Sequence, residues 1–242
     1  MITLLTDPAS FDASEVEVGG DPYRHLFRAR RAAAGDRLRV VDGRGRARWA
    51  EVARVGRSSA IVALAGPAPD NEPAFRLHLL ATTLRPERAS WMVEKATELG
   101  VYAIRFLNSE RAPRTFGDGT VERLRRVAAA AVEQCHRSRL PEVTGPHRWD
   151  EREDLAAPAA IRLLLDTEAG AGWDRTPGGQ RAESAALLVG PEGGWTPEER
   201  HGLLAAGWRG VGLGPRVLRA ETAAVAGAAL LLAALDSSPR SR

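Results

Sequence analysis

The sequence predicts an α/β protein in which a mostly parallel sheet, covered by helices on both faces, follows a small β-rich domain. Three observations predict it. Beyond residue 74, apolar runs of strand length alternate with segments of helical period. Before residue 66 the runs are short and divided by turn residues. Between the two, "GPAPDNEPA" (66–74) carries three prolines, a glycine and acidic residues without periodicity, which marks a boundary.

Each element has its own signal. "RLRVVDGRGRARWAEVARV" (37–55) reads as a strand, a tight Asp42-Gly43 turn and a returning strand, and "SSAIVALAG" (58–66) adds another. After the boundary, "RLHLLAT" (76–82) is a strand. Pro86 then opens a helix that Gly100 closes. "YAIRFLN" (102–108) is a strand, and 120–138 is a helix with Leu124, Val127, Ala128, Ala131, Val132 and Cys135 at helical spacing. "AIRLLLD" (160–166), "ALLVG" (186–190) and "GVGLG" (210–214) complete the strands. The Gly-rich stretch 167–184 reads as a mobile loop, and the polar C-terminal residues read as a disordered tail. The expected division is 1–68, 74–236 and a tail at 237–242.

Composition narrows the class. With 242 residues, 44% of them apolar and 27% charged, the chain can bury a substantial core as one large or two smaller domains. Its longest strongly apolar run, 223–235, is too short to span a bilayer. "MITLLTDPAS" has no basic n-region or long h-region, so no signal peptide is expected. Cys135 is the single cysteine, which excludes an internal disulfide framework and any Cys-based zinc site. A cytoplasmic protein with no metal and no membrane partner is expected. Of 34 basic residues Lys95 is the only lysine, a skew that a GC-rich coding bias accounts for. Between Arg24 and Arg57 stand eleven arginines against Asp36, Asp42 and Glu51, a local balance of +8. Such a patch is either a solvated face or a phosphate-binding surface, with Arg24, Arg28 and Arg31 as candidate RNA contacts.

Two glycine-containing loops follow strands, where open α/β sheets bind ligands. In "LLVGPEGGWTPEE" (187–199) a buried strand stops at Gly190-Pro191-Glu192-Gly193-Gly194, and Thr196 to Glu199 then form a capping box with proline at the first helical position. Glycine backbone and a helix N-terminus offer N–H groups to a ligand, although Gly193-Gly194 could equally make only a tight turn. No Gly-Lys-Ser/Thr and no dinucleotide fingerprint occurs. In "GLGPRVLRAETAAVAGAALLL" (212–232) the second loop leads into a helix, 223–235, that is apolar or small on every face. Such a helix is buried all round, against its own sheet, a partner subunit or both. Arg219, Glu221 and Thr222 just before it need polar partners, either each other or a ligand.

These loops, with "MVEKATELGV" (92–101), "NSERAPR" (108–114) and "EQCHRSRLPEV" (133–143), closely resemble the RsmE-type small-subunit ribosomal RNA uridine-N3 methyltransferases of the SPOUT superfamily. The resemblance runs in order along nearly the whole chain. It implies a PUA-like β-barrel for RNA, then a deep trefoil knot that holds S-adenosylmethionine, with pockets at a homodimer interface. It places Gly190, Pro191, Glu192, Gly193 and Gly194 in one wall of the cofactor site. Leu213, Gly214, Val217, Leu218 and Arg219 form another, and Leu165 stands on the neighbouring strand. The implied partner is 16S ribosomal RNA in the small subunit. Two departures stand out: "MITLLTDP" lacks the family's Arg-containing aromatic strand, and Leu84-Arg85-Pro86 stands where a lysine is common.

Methylation at uracil N3 needs a proton removed and negative charge on the ring oxygens offset. Arg219 or Arg111 would stabilise that charge. Glu221 would orient the arginine or take the proton, unless it is only a carboxylate favoured at a helix N-terminus. Arg137 and Arg139, at the end of a helix, would touch RNA or the partner subunit. Lys95 is expected to pair with Glu94 or Glu98. The competing readings are another SPOUT enzyme, acting on ribose 2′-OH or guanine N1, and a non-catalytic RNA-binding protein.

Overall fold

The computed structural model describes residues 1–29, 31–113, 116–169 and 182–235. The expected tail at 237–242 and most of the loop at 167–184 lie outside the described residues. The chain forms two compact units, Met1–Glu72 with Ala129–Leu140, and Pro73–Ala128 with Pro141–Arg242. The first is therefore not contiguous: it takes a segment from beyond the expected boundary.

In the first unit, β1 (Thr3–Leu5), β2 (Glu15–Val18), β3 (Arg37–Val41), β4 (Ala47–Val55) and β5 (Ala60–Pro67) form one sheet in the order β1-β3-β4-β5-β2. A short helix, α1 (Gly20–Tyr23), runs into a further helical turn at Arg24–Ala29. The β1–β3 pair is parallel and the others antiparallel. Among the described residues no β1–β2 pairing closes the sheet into a barrel. The sheet and α1 bury Leu4, Phe11, Val40, Val52, Val62 and Tyr23. The connection expected as a tight Asp42-Gly43 turn is wider, because the Asp42 carboxylate accepts the N–H groups of both Arg44 (2.8 Å) and Arg46 (3.0 Å).

The segment 133–139 faces inward. Glu133 accepts the Leu5 N–H at 3.0 Å, and His136 Nδ1 lies 2.8 Å from Thr3 Oγ1. Arg39, 3% exposed, donates to the carbonyls of His136 and Pro69. Arg137 is 4% exposed, and its guanidinium is paired with Glu72 at 2.7 Å. The other Glu72 oxygen takes the N–H groups of Ser138 and Arg139. This corrects the expectation for Arg137: a buried arginine saturated by a carboxylate presents nothing to a phosphate, and its work is structural.

In the second unit, β6 (Arg76–Thr82), α2 (Pro86–Leu99), β7 (Ala103–Leu107), α3 (Thr120–Cys135) and β8 (Glu142–His147) come first, the last part of α3 being grouped with the first unit. Then follow α4 (Arg152–Ala156), β9 (Ile161–Leu165), β10 (Ser184–Val189), α5 (Pro197–Ala205), β11 (Arg209–Val211) and α6 (Ala220–Leu235). The sheet order is β11-β9-β10-β6-β7-β8, and every pair is parallel. Gly100 ends α2 in the left-handed conformation, φ 102°. Leu80, Leu164 and Leu188 face a cluster with Leu203 of α5 and Ala156 of α4. Leu165 and Leu187, one residue out of phase, face α6 on the other side. Strands buried on both faces explain the unbroken apolar run of β10.

One expectation for α6 changes. The helix begins at Ala220, so Glu221 lies in its first turn rather than before it. Within one copy of the chain its buried face runs through Ala224, Gly227, Ala228, Leu231 and Leu232 against β6, β10 and α2, and Leu230 on the other side is 41% exposed. Among the described residues no helix is long and apolar enough to cross a membrane, and no cluster of three metal-ligating side chains occurs.

His78 of β6 is 3% exposed and accepts from Arg105 Nη1 at 2.8 Å. Burial, then the charges of Arg105 and Arg76, push its pKa down to about 4 against 6.5. Between those values the unfolded chain binds the proton and the folded chain does not, so stability falls as pH drops from 6.5 towards 4. A His78→Gln variant should show a flatter melting temperature across that window. An unchanged slope would refute the assignment.

Candidate active site

The loops after β7, β9, β10 and β11 meet at the carboxyl edge of the sheet around a cavity of about 300 Å³. The β10 loop contributes Gly190, Pro191, Glu192, Gly193 and Gly194. The β11 loop contributes Leu213, Gly214, Val217 and Leu218, and Leu165 closes the end of β9. Arg111 reaches in from the loop after β7. Arg219 is exposed and does not line the cavity, and Glu221 is buried and does not line it either.

Each glycine of the β10 loop has a separate reason. A Cβ at Gly190 would stand 2.8 Å from the Trp195 ring. That ring is fixed by Nε1–H donating to the Leu165 carbonyl at 3.1 Å and by Trp149, 5.6 Å away between centroids. A Cβ at Gly193 would press on Arg111 at 3.3 Å, the residue whose Nη1 grips the Gly193 and Trp195 carbonyls at 3.0 and 3.2 Å. Gly194 has open space but a φ of 68°, which an L side chain rarely adopts. The chain then re-enters a helix through the Thr196–Glu199 capping box, with Thr196 Oγ1 accepting from Glu199 N at 3.1 Å.

The lining mixes polar and apolar groups in about equal measure. Asp166 lines the cavity and is held by Arg200 Nε at 2.7 Å and the Glu168 N–H at 2.9 Å. Glu168 and Glu192 add carboxylates, Arg111 and Arg216 guanidinium groups, and Val189, Val211 and Leu218 apolar surface. Glycine backbone, apolar walls and carboxylates suit a ligand with a flat heterocycle, a cationic centre and an amino acid end. S-adenosylmethionine has all three, so the residues present fit it.

Sequence reasoning does not single out Asp166, Glu168, Trp195, Arg200 or Arg216 for this site. It also passes over Arg88, whose Nη1 is ion-paired with Glu192 and whose Nε is 3.7 Å from Glu221 Oε1. A signal exists for Arg88: a cation in the first turn of a helix opposes the dipole and needs a partner. Lys95 is paired with both Glu94 (2.7 Å) and Glu98 (2.8 Å), and these bonds hold its pKa above the ordinary range. In the first unit, Arg24, Arg28 and Arg31 are exposed, whereas Arg139 is half-buried over Gly45.

A family model described as an RNA methyltransferase domain matches residues 71–232, and one described as an RNA methyltransferase PUA domain matches residues 18–64. Fold and site together define an RNA methyltransferase. The chain belongs to the ribosomal RNA small subunit methyltransferase E family. It is 34% identical over 218 residues to the Mycobacterium bovis protein of that name, an alignment covering 86% of this chain and 82% of that one. The Synechocystis protein of the same name is 29% identical over 97% of this chain and 78% of its own. The crystal structure of the Neisseria gonorrhoeae ribosomal RNA small subunit methyltransferase E bound to S-adenosyl methionine is 25% identical, with a TM-score of 0.82 and coverage of 96% of both chains.

Proposed function

We propose that this chain transfers the methyl group of S-adenosylmethionine to N3 of a specific uridine in the 16S RNA of the small ribosomal subunit. The observation that carries the reading is the convergence of the β10 and β11 loops on one cavity at the carboxyl edge of a parallel sheet. The relatives' names and the S-adenosyl methionine bound to the Neisseria protein support substrate and cofactor. Residues 190–194, Leu213, Gly214, Val217 and Leu218, with Leu165, hold the cofactor, in a trefoil knot of the family type. When bound, it supplies an already activated methyl group, so the protein's task is to orient and to move a proton.

The uracil N3 carries a proton at neutral pH, and its loss places charge on the flanking oxygens. Arg219 is our first candidate to offset that charge. It is exposed, and its neighbours Leu218 and Ala220 both line the cavity, which supports a role toward an incoming base. Arg111 is the second candidate, though its Nη1 already serves two loop carbonyls. Glu221 takes the proton or orients the arginine. Arg24, Arg28, Arg31 and Arg139 contact the RNA backbone. The uncovered apolar side of α6, with Leu230 exposed, packs against a second copy of the chain.

Calorimetric titration with S-adenosylmethionine, followed by mass spectrometry of nucleosides from undermethylated small subunits treated with the protein, tests the reading. N3-methyluridine supports it. A 2′-O-methyl or N1-methylguanosine product would move the chain to another activity. No donor binding with or without RNA would leave an RNA-binding protein. Arg219→Ala should lower the single-turnover rate roughly hundredfold with an unchanged melting temperature, since the residue is exposed. A near-normal rate would remove Arg219 from the mechanism.

A further inference from the structure

Arg88 is the third residue of α2, where a cation opposes the helix dipole. Two carboxylates from distant parts of the chain compensate. One is Glu192 in the cavity wall, bound to Nη1; the other is Glu221 in the first turn of α6, with Oε1 3.7 Å from Nε. One guanidinium thus joins three elements: the start of α2, the β10 loop and the start of α6.

The cluster is incomplete at one atom. Glu221 is 7% exposed, and its Oε2 is buried without a hydrogen-bond partner. A buried carboxylate oxygen with no donor is costly, and native structures keep few of them. Glu221 does not itself line the cavity, but Ala220 before it and Ala223 after it do. The unsatisfied oxygen belongs to a cluster of two carboxylates and one guanidinium, net negative, that reaches the cavity wall through Glu192. It lacks a donor hydrogen, which the imide N–H of a uracil would supply.

We propose that Arg88 is a positioning residue that locks Glu192 to Glu221, so that the cavity wall is fixed and Glu221 Oε2 is held to accept the substrate's N3 proton. This rests on the methyltransferase reading and assigns the proton acceptor within it. The proton passes to the Glu221 carboxylate, and the N–H electron pair stays on N3 to form the new N–C bond. The methyl group leaves sulfur without its bonding pair, so the sulfonium becomes a neutral thioether and charge balances.

The test is a double-mutant cycle on the full chain, reading the S-adenosylmethionine Kd and the single-turnover rate at saturating donor on undermethylated small subunits. Arg88→Met should weaken donor binding about tenfold and slow transfer roughly hundredfold, and Arg88→Lys should recover part of both. Glu192→Gln should weaken donor binding, and adding Arg88→Met should weaken it no further. Glu221→Gln should slow transfer, and adding Arg88→Met should slow it no further. Additive losses in both doubles, or an Arg88→Met variant that loses only melting temperature, would overturn the proposal. If Arg88→Met fails to fold, Arg88→Lys closes the same cycles. A wild-type protein that neither binds the donor nor transfers a methyl group would instead overturn the methyltransferase reading itself.

Discussion

Gly190→Val is expected to weaken S-adenosylmethionine binding roughly hundredfold, on the order of 3 kcal/mol, while the protein stays folded. The first atom of a side chain there would lie 2.8 Å from Cε2 and 2.9 Å from Cζ2 of Trp195. The ring cannot swing aside cheaply, because its Nε1–H is bonded to the Leu165 carbonyl and its face meets Trp149. Relief has to come from the cavity wall, either by moving Trp195 into the cavity or by pushing the β10 loop outward. Gly194→Ala is the control. It meets nothing within 4 Å and carries only the strain of a positive φ, so it should cost roughly tenfold or less. Calorimetry on the two variants separates crowding from backbone strain. Equal losses would show that the wall fails through its backbone and not through Trp195.

Gly227→Val should destabilise the fold by about 3 kcal/mol, read as a lower denaturant midpoint at unchanged m-value. Glycine inside a helix is ordinarily a weakness of about 1 kcal/mol. Here it allows α6 to approach the sheet, since a Cβ would stand 2.9 Å from Leu187 Cδ2 and 3.3 Å from Leu165 Cδ1. Leu187 is fully buried and Leu165 nearly so, which leaves no room to yield. Gly202, in α5, has nothing within 4 Å, so Gly202→Ala should stabilise by roughly 0.5–1 kcal/mol. A loss below about 1 kcal/mol at Gly227 would mean that α6 shifts freely on the sheet. Because Leu165 also lines the cavity, donor affinity should fall in the same variant.

What can be read from the chain follows local punctuation. The strand at 76–82 and the helix from Pro86 to Gly100 are found where apolar period, proline and glycine mark them. β8 escapes a reading by pattern because Gly145-Pro146 interrupts it, and proline is tolerated there only because β8 is an edge strand. The start of α6 lies three residues earlier than its apolar run suggests, since Glu221 and Thr222 read as loop residues while tertiary packing draws Glu221 into the helix. Site residues divide the same way. The glycine walls announce themselves by composition. Asp166, Trp195 and Arg200 do not, because a single side chain beyond a strand end has no pattern. Arg137 misleads for a related reason: an arginine at a helix end looks exposed, and its partner Glu72 lies 65 residues away.

The inward-facing segment 133–139 also bears on the order in which the protein is made. The five strands of the first unit leave the ribosome early, yet Glu133, His136, Arg137 and Ser138, which satisfy Leu5, Thr3, Arg39 and Glu72, follow only after residues 73–128. During that interval the bonds of Glu72 to Arg137, Ser138 and Arg139 and that of Arg39 to His136 are still to be made, and closing the unit means drawing a long excursion of chain back to its beginning. The first unit is thus finished after much of the second has been synthesised. A fragment cut at the proline-rich boundary would keep all five strands but lack the segment that satisfies Leu5, Thr3 and Glu72, so RNA-binding measurements on residues 1–72 alone would describe a species that the intact chain passes through rather than the one it becomes.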